Sequence, residues 1–268
     1  MKTLQKIVVS GFGVLAVMAV AAYSSAQAPT PTTPPPSAVA PPAGPPGDAW
    51  PPAGGPNFAP PKNDGPRTIA PYFAPATSTP KAPDADGFLQ RWLLLEPITK
   101  PNRSNTVFTG TYVRAAFNTE YFPNQFTVVP HNGDKVTVAG QQLAWHALDS
   151  ASFNVRLFRL AYGLNKPTYG VIFWAVTVVN SPREMKNVRL AVGSNSASMW
   201  WLNGNEAVGL FDDRRMVMDD VVSKRLTLNK GKNILRGAVI NGPGLSDFCV
   251  RFIDENGEPV KGITTSLE

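Results

Sequence analysis

The segment Ser198-Met-Trp-Trp-Leu-Asn-Gly204 constrains what this chain can fold into more than any other. It is a short aromatic run closed by Asn-Gly, two residues that tolerate positive φ and therefore favour a tight hairpin turn. Further along, Leu226-Thr-Leu-Asn-Lys-Gly-Lys-Asn-Ile-Leu235 has the pattern of a strand, a Lys-Gly turn and another strand. Both segments predict short strands linked by tight turns, which indicates a β-sheet protein.

Residues 1–26 have the pattern of a secretory signal peptide. Lys2 and Lys6 give a basic start, an uncharged apolar run follows, and Ser24 and Ala26 fit the small-residue rule for cleavage. The apolar run is shorter than the about 20 residues of a transmembrane helix. We therefore expect a secreted or periplasmic protein without a membrane span after cleavage, with an uncleaved N-terminal anchor as the alternative.

Residues 27–83 hold 19 of the 27 prolines of the chain, interspersed with small residues. Proline lacks a backbone donor and small residues bury little apolar area, so this segment is predicted to be a disordered, Pro-rich linker. It is either a tether that holds the folded part away from a surface or an unselected tail.

Residues 84–268 suit one ordinary domain. This part contains 20 Lys and Arg residues against 17 Asp and Glu residues, so the high overall isoelectric point does not describe a nucleic-acid-binding surface. Cys249 is the one cysteine of the chain, which excludes an intrachain disulfide. Stability is therefore expected to come from an apolar core.

Many short strands with Gly and Asn turns indicate an all-β sandwich or barrel. Residues 170–179 are apolar on both faces, as expected of a central strand. One short helix is predicted over residues 111–120, capped by Thr109 or Thr111. Further strands are predicted at residues 87–96, 126–129, 135–138, 143–147, 187–192, 198–202, 226–228, 234–240 and 247–254.

Several motifs along the domain carry a resemblance to a known family, among them an opening Trp-Leu-Leu-Leu-Glu-Pro strand at 92–97 and a Trp145 that follows the turn at Gly140. Four further motifs complete the resemblance. They are Trp-Leu-Asn-Gly at 201–204, the Leu-x-x-Gly-x-Asn-x-Leu pattern at 228–235, a long strand ending in Ser-Pro at 169–182, and Phe-x-x-Arg-x-x-Asp-x-x-Gly at 248–257. The chain resembles galactose-binding-like β-sandwich domains, which accompany or are labelled as acetylxylan esterases and other polysaccharide-degrading enzymes. The resemblance implies a jelly-roll fold and a plant-type polysaccharide such as xylan as partner.

The tryptophans are the main candidates for ligand contact, because sugar rings stack their apolar faces on aromatic planes. Strand alternation puts Trp200 and Trp201 on opposite faces. The resemblance implies that Leu202 points into the core, which takes Trp200 inward and leaves Trp201 outward or under a loop. The predicted ligand-binding residues are Trp201, Asn203, Asp212, Asp213, Arg214 and Arg215.

A carbohydrate esterase is the alternative function. A serine esterase needs a nucleophile, a base and an acid that orients the base. His146 is the candidate base, Ser194 the candidate nucleophile and Asp149 the candidate acid, whereas His131 has the pattern of a surface turn. The sequence contains no Gly-x-Ser-x-Gly nucleophile elbow, so non-catalytic recognition is the preferred interpretation.

No cofactor is predicted. Two histidines and one cysteine without paired spacing do not indicate a zinc site. The pairs Asp212-Asp213 and Asp219-Asp220 are compatible with structural calcium. The preferred alternative is a solvated loop whose acids are neutralised by Arg214 and Arg215. A third functional hypothesis is a structural or adhesion module whose partner is a cell-envelope protein.

Overall fold

The computed structural model describes residues 67–100, 108–212, 214–242 and 244–268. These residues form fifteen strands and two short helices. The strands are β1 (Phe73–Pro75), β2 (Arg91–Leu95), β3 (Ile98–Thr99), β4 (Lys135–Val138), β5 (Gln141–Ser150), β6 (Val155–Arg156), β7 (Val171–Ser181), β8 (Met185–Ser194), β9 (Ala197–Leu202), β10 (Asn205–Leu210), β11 (Val221–Val222), β12 (Leu226–Leu228), β13 (Gly231–Asn241), β14 (Asp247–Ile253) and β15 (Thr264–Ser266). The helices are α1 (Gly110–Asn118) and α2 (Leu157–Gly163). The predicted all-β class is confirmed.

The strands form two antiparallel sheets. The larger sheet has ten strands in the order β1-β5-β2-β7-β13-β9-β10, with β3 and β15 paired to β7 and β4 paired to β5. The smaller sheet has five strands in the order β11-β8-β14-β6, with β12 paired to β8. Apolar side chains from both sheets meet in one cluster, so the two sheets form a sandwich. Within the described ranges, no helix is long and apolar enough to cross a membrane.

Strand β7 lies at the centre of the larger sheet, as its apolar sequence predicts. It pairs with β13 over its whole length, from Val171 opposite Asn241 to Ser181 opposite Gly231. Its other edge receives β3, β2 and β15 in succession. Residues 171–179 are all buried because the strand is covered on both faces.

The Asn203-Gly204 turn and the turn at 229–230 connect different kinds of neighbours. Asn203 and Gly204 have φ of 51° and 80° and join β9 to β10 as the predicted hairpin. The turn at 229–230 instead joins strands of different sheets, because β12 pairs with β8 and β13 pairs with β7 and β9. Strands β8 and β9 likewise lie in different sheets. The chain therefore passes repeatedly between the two layers, which ties the sandwich together.

The inner face of the larger sheet meets the smaller sheet across a core rich in aromatic rings. Trp92 and Trp200 each pack edge-on against Phe248, with ring centroids 5.0 Å apart in both pairs. A side chain at Gly237 would place its Cβ 2.3 Å from the Trp200 ring, so glycine is required there. Trp92 and Trp200 also contact each other, with ring centroids 5.9 Å apart, so the rings fill the space between the layers.

The outer face of the larger sheet is covered by α1 and the segment that follows it. The Thr109 side chain accepts a hydrogen bond from the Tyr112 amide at 3.4 Å, which confirms it as the helix cap. The predicted strand at 126–129 is wrong, because residues 123–127 form a turn. The Gln125 side chain, fully buried, bonds the Thr119 carbonyl and the Tyr121 amide and so holds this turn together. The turn packs apolar side chains onto the sheet without extending it.

The larger sheet includes residues that precede Asp84. Residues 73–75 form β1 against β5, and Phe73 is buried in the inner core. The guanidinium of Arg91 donates to the Thr79 carbonyl, which fixes the segment that follows β1. These two contacts were not predicted, because the high proline content of residues 27–83 indicated a linker. The predicted signal at 1–26 and the part of the predicted linker at 27–66 lie outside the described residues.

Helix α2 was not predicted from the sequence. Its seven residues bury Leu157, Leu160 and Ala161 against the inner core, and Phe158 is buried beside Tyr162 and Tyr169. The segment is too short to show a clear helical period in the sequence, so only its packing reveals it.

Candidate functional site

The alternation of β9 places Trp200 and Trp201 on opposite faces of the larger sheet. Trp200 is fully buried in the inner core, whereas Trp201 is half-buried on the outer face. The Trp201 ring stacks on Trp174, with centroids 5.7 Å apart and planes inclined by 17°. Trp174 in turn meets the edge of Phe126 at 5.8 Å. The three aromatic rings therefore form a continuous apolar surface between the larger sheet and the turn that follows α1, to which Phe126 belongs.

This surface borders a recess of about 210 Å³, which we call the outer recess. Its lining residues are Asn118, Phe126, Trp201, Gly204 and Arg236. They come from the end of α1, the following turn, the β9–β10 hairpin and the middle of β13. Rigid strands thus position Trp201 and Arg236, while the covering turn supplies the opposite wall.

Arg236 is the most unusual residue of the outer recess. It lies opposite Trp201 in the pairing of β13 with β9, and only 4% of its surface is exposed. Its Nη2 donates to the Val128 carbonyl at 2.7 Å, but its Nη1 is buried without a hydrogen-bond partner among the described residues. Burial lowers the pKa of Arg236 to about 10, so the group remains a cation at neutral pH.

The rim of the outer recess is taken at Glu206, which lies opposite Trp201 in the pairing of β10 with β9 and forms an ion pair. Arg114 on α1 bonds Glu206 on β10 at 2.6 Å, and both side chains are well exposed. Asn118, one helical turn beyond Arg114, is exposed at the mouth. The acid of the rim is therefore already neutralised, and an amide beside it remains accessible to a ligand.

Asn203 was predicted to contact a ligand, but its side chain is occupied within the protein. Its amide nitrogen bonds the buried Asn233 at 2.9 Å, and its amide oxygen accepts from the Ile234 amide at 2.8 Å. Asn203 therefore fastens the hairpin to β13, and we leave it out of the candidate site.

The loop with Asp212, Arg214 and Arg215 does not meet Trp201. The hairpin turn lies at the Trp201 end of β9, whereas the end of β10 lies opposite Ser198. The Arg214 carbonyl accepts from the Ser196 amide, about 16 Å along the strand from Trp201 at about 3.3 Å per residue. Asp213 lies outside the described residues. The structure thus separates two groups that the sequence analysis combined.

The esterase alternative requires three residues that the structure keeps apart. Ser194 is fully buried and shares a 2.8 Å hydrogen bond with Ser198. Asp149 accepts two hydrogen bonds from Arg91, at 2.9 and 3.0 Å. His146 instead lies 3.4 Å from Glu96. The predicted triad is therefore not assembled, because each member belongs to a different hydrogen-bond system.

His146 takes part in a structural ion cluster. Glu96, largely buried, also accepts a hydrogen bond from Lys166 at 2.8 Å and one from the Ala144 amide at 3.2 Å. Burial acts to raise the pKa of Glu96, but the bonds from Lys166 and Ala144 outweigh it and hold the pKa below its ordinary value. The carboxylate is thus ionised and saturated by donors that join β2 to β5.

Of the two acidic pairs proposed for calcium, the second, Asp219-Asp220, is held by arginines. Asp219 bonds Arg251, and Asp220 bonds Arg214 at 2.9 Å. In the described part of the chain, no three His, Cys, Asp or Glu residues lie together as metal ligands would. Arg214 thus neutralises Asp220, as the solvated-loop alternative expects, whereas Asp219 pairs with Arg251 and not with Arg215.

Sequence reasoning missed Asn118, Phe126 and Arg236. The available signal was Arg236, a lone charge inside the otherwise apolar run of residues 234–240. A cation in the middle of a central strand indicates either a buried pair or a binding site. No local sequence pattern identifies Asn118 and Phe126, because only the tertiary fold brings them to the recess.

No family model matches the sequence, and no curated protein matches it significantly. Among solved structures, the fold is similar to a PA14 sugar-binding domain from an RTX adhesin, at a TM-score of 0.39 and 12% identity over 66% of this chain and 99% of that one. It is also similar to the PA14 domain of the MpAFP antifreeze protein, at a TM-score of 0.38 and 11% identity over 72% and 96%. A beta-glucosidase from Kluyveromyces marxianus has a TM-score of 0.31 and 15% identity over 46% of this chain and 16% of the enzyme. Overlaps at this level do not establish a common family.

Proposed function

We propose that this protein is a secreted, non-catalytic carbohydrate-recognition domain that binds a plant-type polysaccharide such as xylan in the outer recess. The observation that carries the proposal is the half-buried Trp201 ring, which borders a recess that also contains polar donors. Aromatic planes beside hydrogen-bonding groups match the two kinds of surface on a sugar ring.

The recess suits a small ligand unit. Its volume of about 210 Å³ lies below the roughly 300–1,000 Å³ of drug-sized pockets, so it accommodates one sugar ring rather than an oligosaccharide. The apolar face of that ring stacks on Trp201, with Phe126 as the second wall. The Asn118 amide at the mouth hydrogen-bonds the hydroxyl groups. Neighbouring sugar units of a polymer extend into solvent past the rim.

Binding rather than catalysis is proposed because of the chemistry of the lining. The described lining residues comprise two aromatic rings, one amide, one glycine and one guanidinium, without a nucleophile or a general base. His146 lies on the opposite face of the larger sheet, because it alternates with Trp145 and Ala147, which pack in the outer cluster. An adhesion role toward an envelope protein is tested as an outcome below.

The purified protein is to be titrated on a polysaccharide array and, in parallel, incubated with acetylated xylan while acetate is measured. We expect binding without acetate release. Acetate release that His146→Ala abolishes would establish the esterase alternative. Absence of both binding and acetate release contradicts the proposal and favours the adhesion module.

Secretion is a separate part of the proposal and has its own measurement. The N-terminal sequence of the protein recovered from the extracellular or periplasmic fraction is expected to begin at Gln27. Recovery of the intact N terminus in the membrane fraction would favour the uncleaved anchor.

A further inference from the structure

The buried cation of the outer recess points to the class of sugar that binds there. A guanidinium removed from water is costly unless an anion or a full set of hydrogen-bond acceptors compensates it. Arg236 has one acceptor, the Val128 carbonyl, and forms no ion pair with any described residue. Glu206, the acid that lies opposite Trp201 in β10, is bound to Arg114.

The direction in which the pKa of Arg236 is displaced agrees with this geometry. Burial is the one cause that displaces the pKa of Arg236, to about 10, and no carboxylate acts to raise it again. The recess floor therefore carries an uncompensated positive charge in a poorly solvated position, where charge interactions are stronger than in water.

We propose that the outer recess selects a sugar bearing a carboxylate, a uronate residue of an acidic polysaccharide, whose carboxylate pairs with Arg236. This inference rests on the proposed carbohydrate-binding function and adds the ligand class. A planar carboxylate matches the planar donors of a guanidinium, and the ring that bears it stacks on Trp201. Nη1 is shielded from solvent before binding, so side chains that line the recess shift when the carboxylate reaches it.

The test compares two probes that differ only in charge. They are a xylo-oligosaccharide that carries one glucuronic acid and the same oligosaccharide with its carboxyl group reduced to an alcohol. Calorimetric titration of the whole secreted protein is expected to give an affinity for the acid roughly 10- to 100-fold higher, the effect of one charge-assisted hydrogen bond. Equal affinity for the two probes overturns the uronate inference but leaves carbohydrate binding intact. Binding of neither probe contradicts both.

Two variants test whether Arg236 causes the preference for the acidic probe. Arg236→Gln removes the charge but retains a polar amide at this position, and it is expected to bind the two probes equally. The matched control is Arg225→Gln, because Arg225 is an exposed arginine on the smaller-sheet side, paired with Glu255, and outside the recess. It should keep the full preference for the acid. A preference that survives in Arg236→Gln assigns the selectivity elsewhere and overturns the inference.

A second measurement does not depend on the folding of a variant. Arg236 stays protonated from acid to neutral pH, whereas the carboxyl group of the probe becomes neutral in acid. Affinity of the unmodified protein for the acidic probe should therefore fall to that of the reduced probe as pH drops through the pKa of the carboxyl group. An affinity that does not change with pH contradicts the pairing.

Discussion

The two faces of the larger sheet differ in which of their buried polar groups lack partners. On the inner face, the Trp92 and Trp200 indoles donate to the Leu89 carbonyl at 2.8 Å and the Ser198 hydroxyl at 3.0 Å. Among the described residues of the inner face, the neutral Thr177 hydroxyl is buried without a partner. On the outer face, the Trp174 indole and one nitrogen of the charged Arg236 are buried without partners in the described part of the chain. The inner face is built like a closed core, whereas the outer face contains the recess.

Because of this difference, strand β9 contributes to a closed core on one face and to a recess on the other. A second sheet covers the inner face with regular, complementary layers, so its packing is complete. A short helix and an irregular turn cover the outer face and leave space beside Trp201. Neighbouring residues of β9 therefore have separate roles, with Trp200 in stability and Trp201 in the proposed recognition.

The largest expected effect is on the inner face. Trp200→Ala should lower the free energy of unfolding by about 3–5 kcal/mol, because it leaves a cavity among Trp92, Phe248 and Gly237. Denaturant unfolding monitored by circular dichroism measures the change. A loss as small as that of an exposed residue would show that the inner face is not the closed core described above.

The N-terminal edge of the inner face gives the next largest effect. A chain that begins at Asp84 should be less stable than one that begins at Arg67 by at least about 1.5–3 kcal/mol, the contribution of burying one side chain such as Phe73. It also loses the bond from Arg91 to the Thr79 carbonyl. Equal melting temperatures of the two chains would instead place the start of the stable domain at Asp84.

Local patterns in the sequence predict much of the fold. Alternation and the Asn-Gly pair predict the β9–β10 hairpin and the opposite facing of its two tryptophans, and the apolar run at 171–179 predicts the central strand. Local hydrophobic periodicity does not show which strands pair when they are distant in the sequence. Hence the position of β13 between β7 and β9, and the separation of β12 from β13, required the structure.

The candidate site was predictable only in part. Trp201 follows from strand alternation, but its recess is assembled from segments at 118, 126, 204 and 236 that meet through long-range pairing. The placement of Asp212 and Arg214 beside Trp201 is wrong for a simple geometric reason. An antiparallel hairpin returns the chain past its own start, so residues beyond β10 lie at the far end of β9.

Trp201→Ala tests the outer face and should produce a smaller loss of stability than Trp200→Ala. The ring is half-buried and stacked on Trp174, so we expect a cost of about 1–2 kcal/mol, near the value of an aromatic pair. Sugar affinity should fall roughly three- to tenfold. Tyr72→Ala is the matched control, since Tyr72 is also half-buried and lies against Arg156 and Arg159 near α2. If the control loses as much affinity as Trp201→Ala, the recess is not the binding site.

The outer face of the smaller sheet is a third surface that can be compared with the two faces of the larger sheet. The smallest effect on stability is expected here, from treatment of Cys249 with a reducing agent. Cys249 lies there, fully buried, with its Sγ 3.7 Å from the Met216 Sδ in the segment that crosses this face. Burial raises the pKa of Cys249 to about 11, so little reactive thiolate exists at neutral pH. A reducing agent should leave the melting temperature unchanged, and a thiol-alkylating reagent should label the folded protein far more slowly than the unfolded protein. Rapid labelling of the folded protein would show that the crossing segment opens readily, so that this face, too, is incompletely closed.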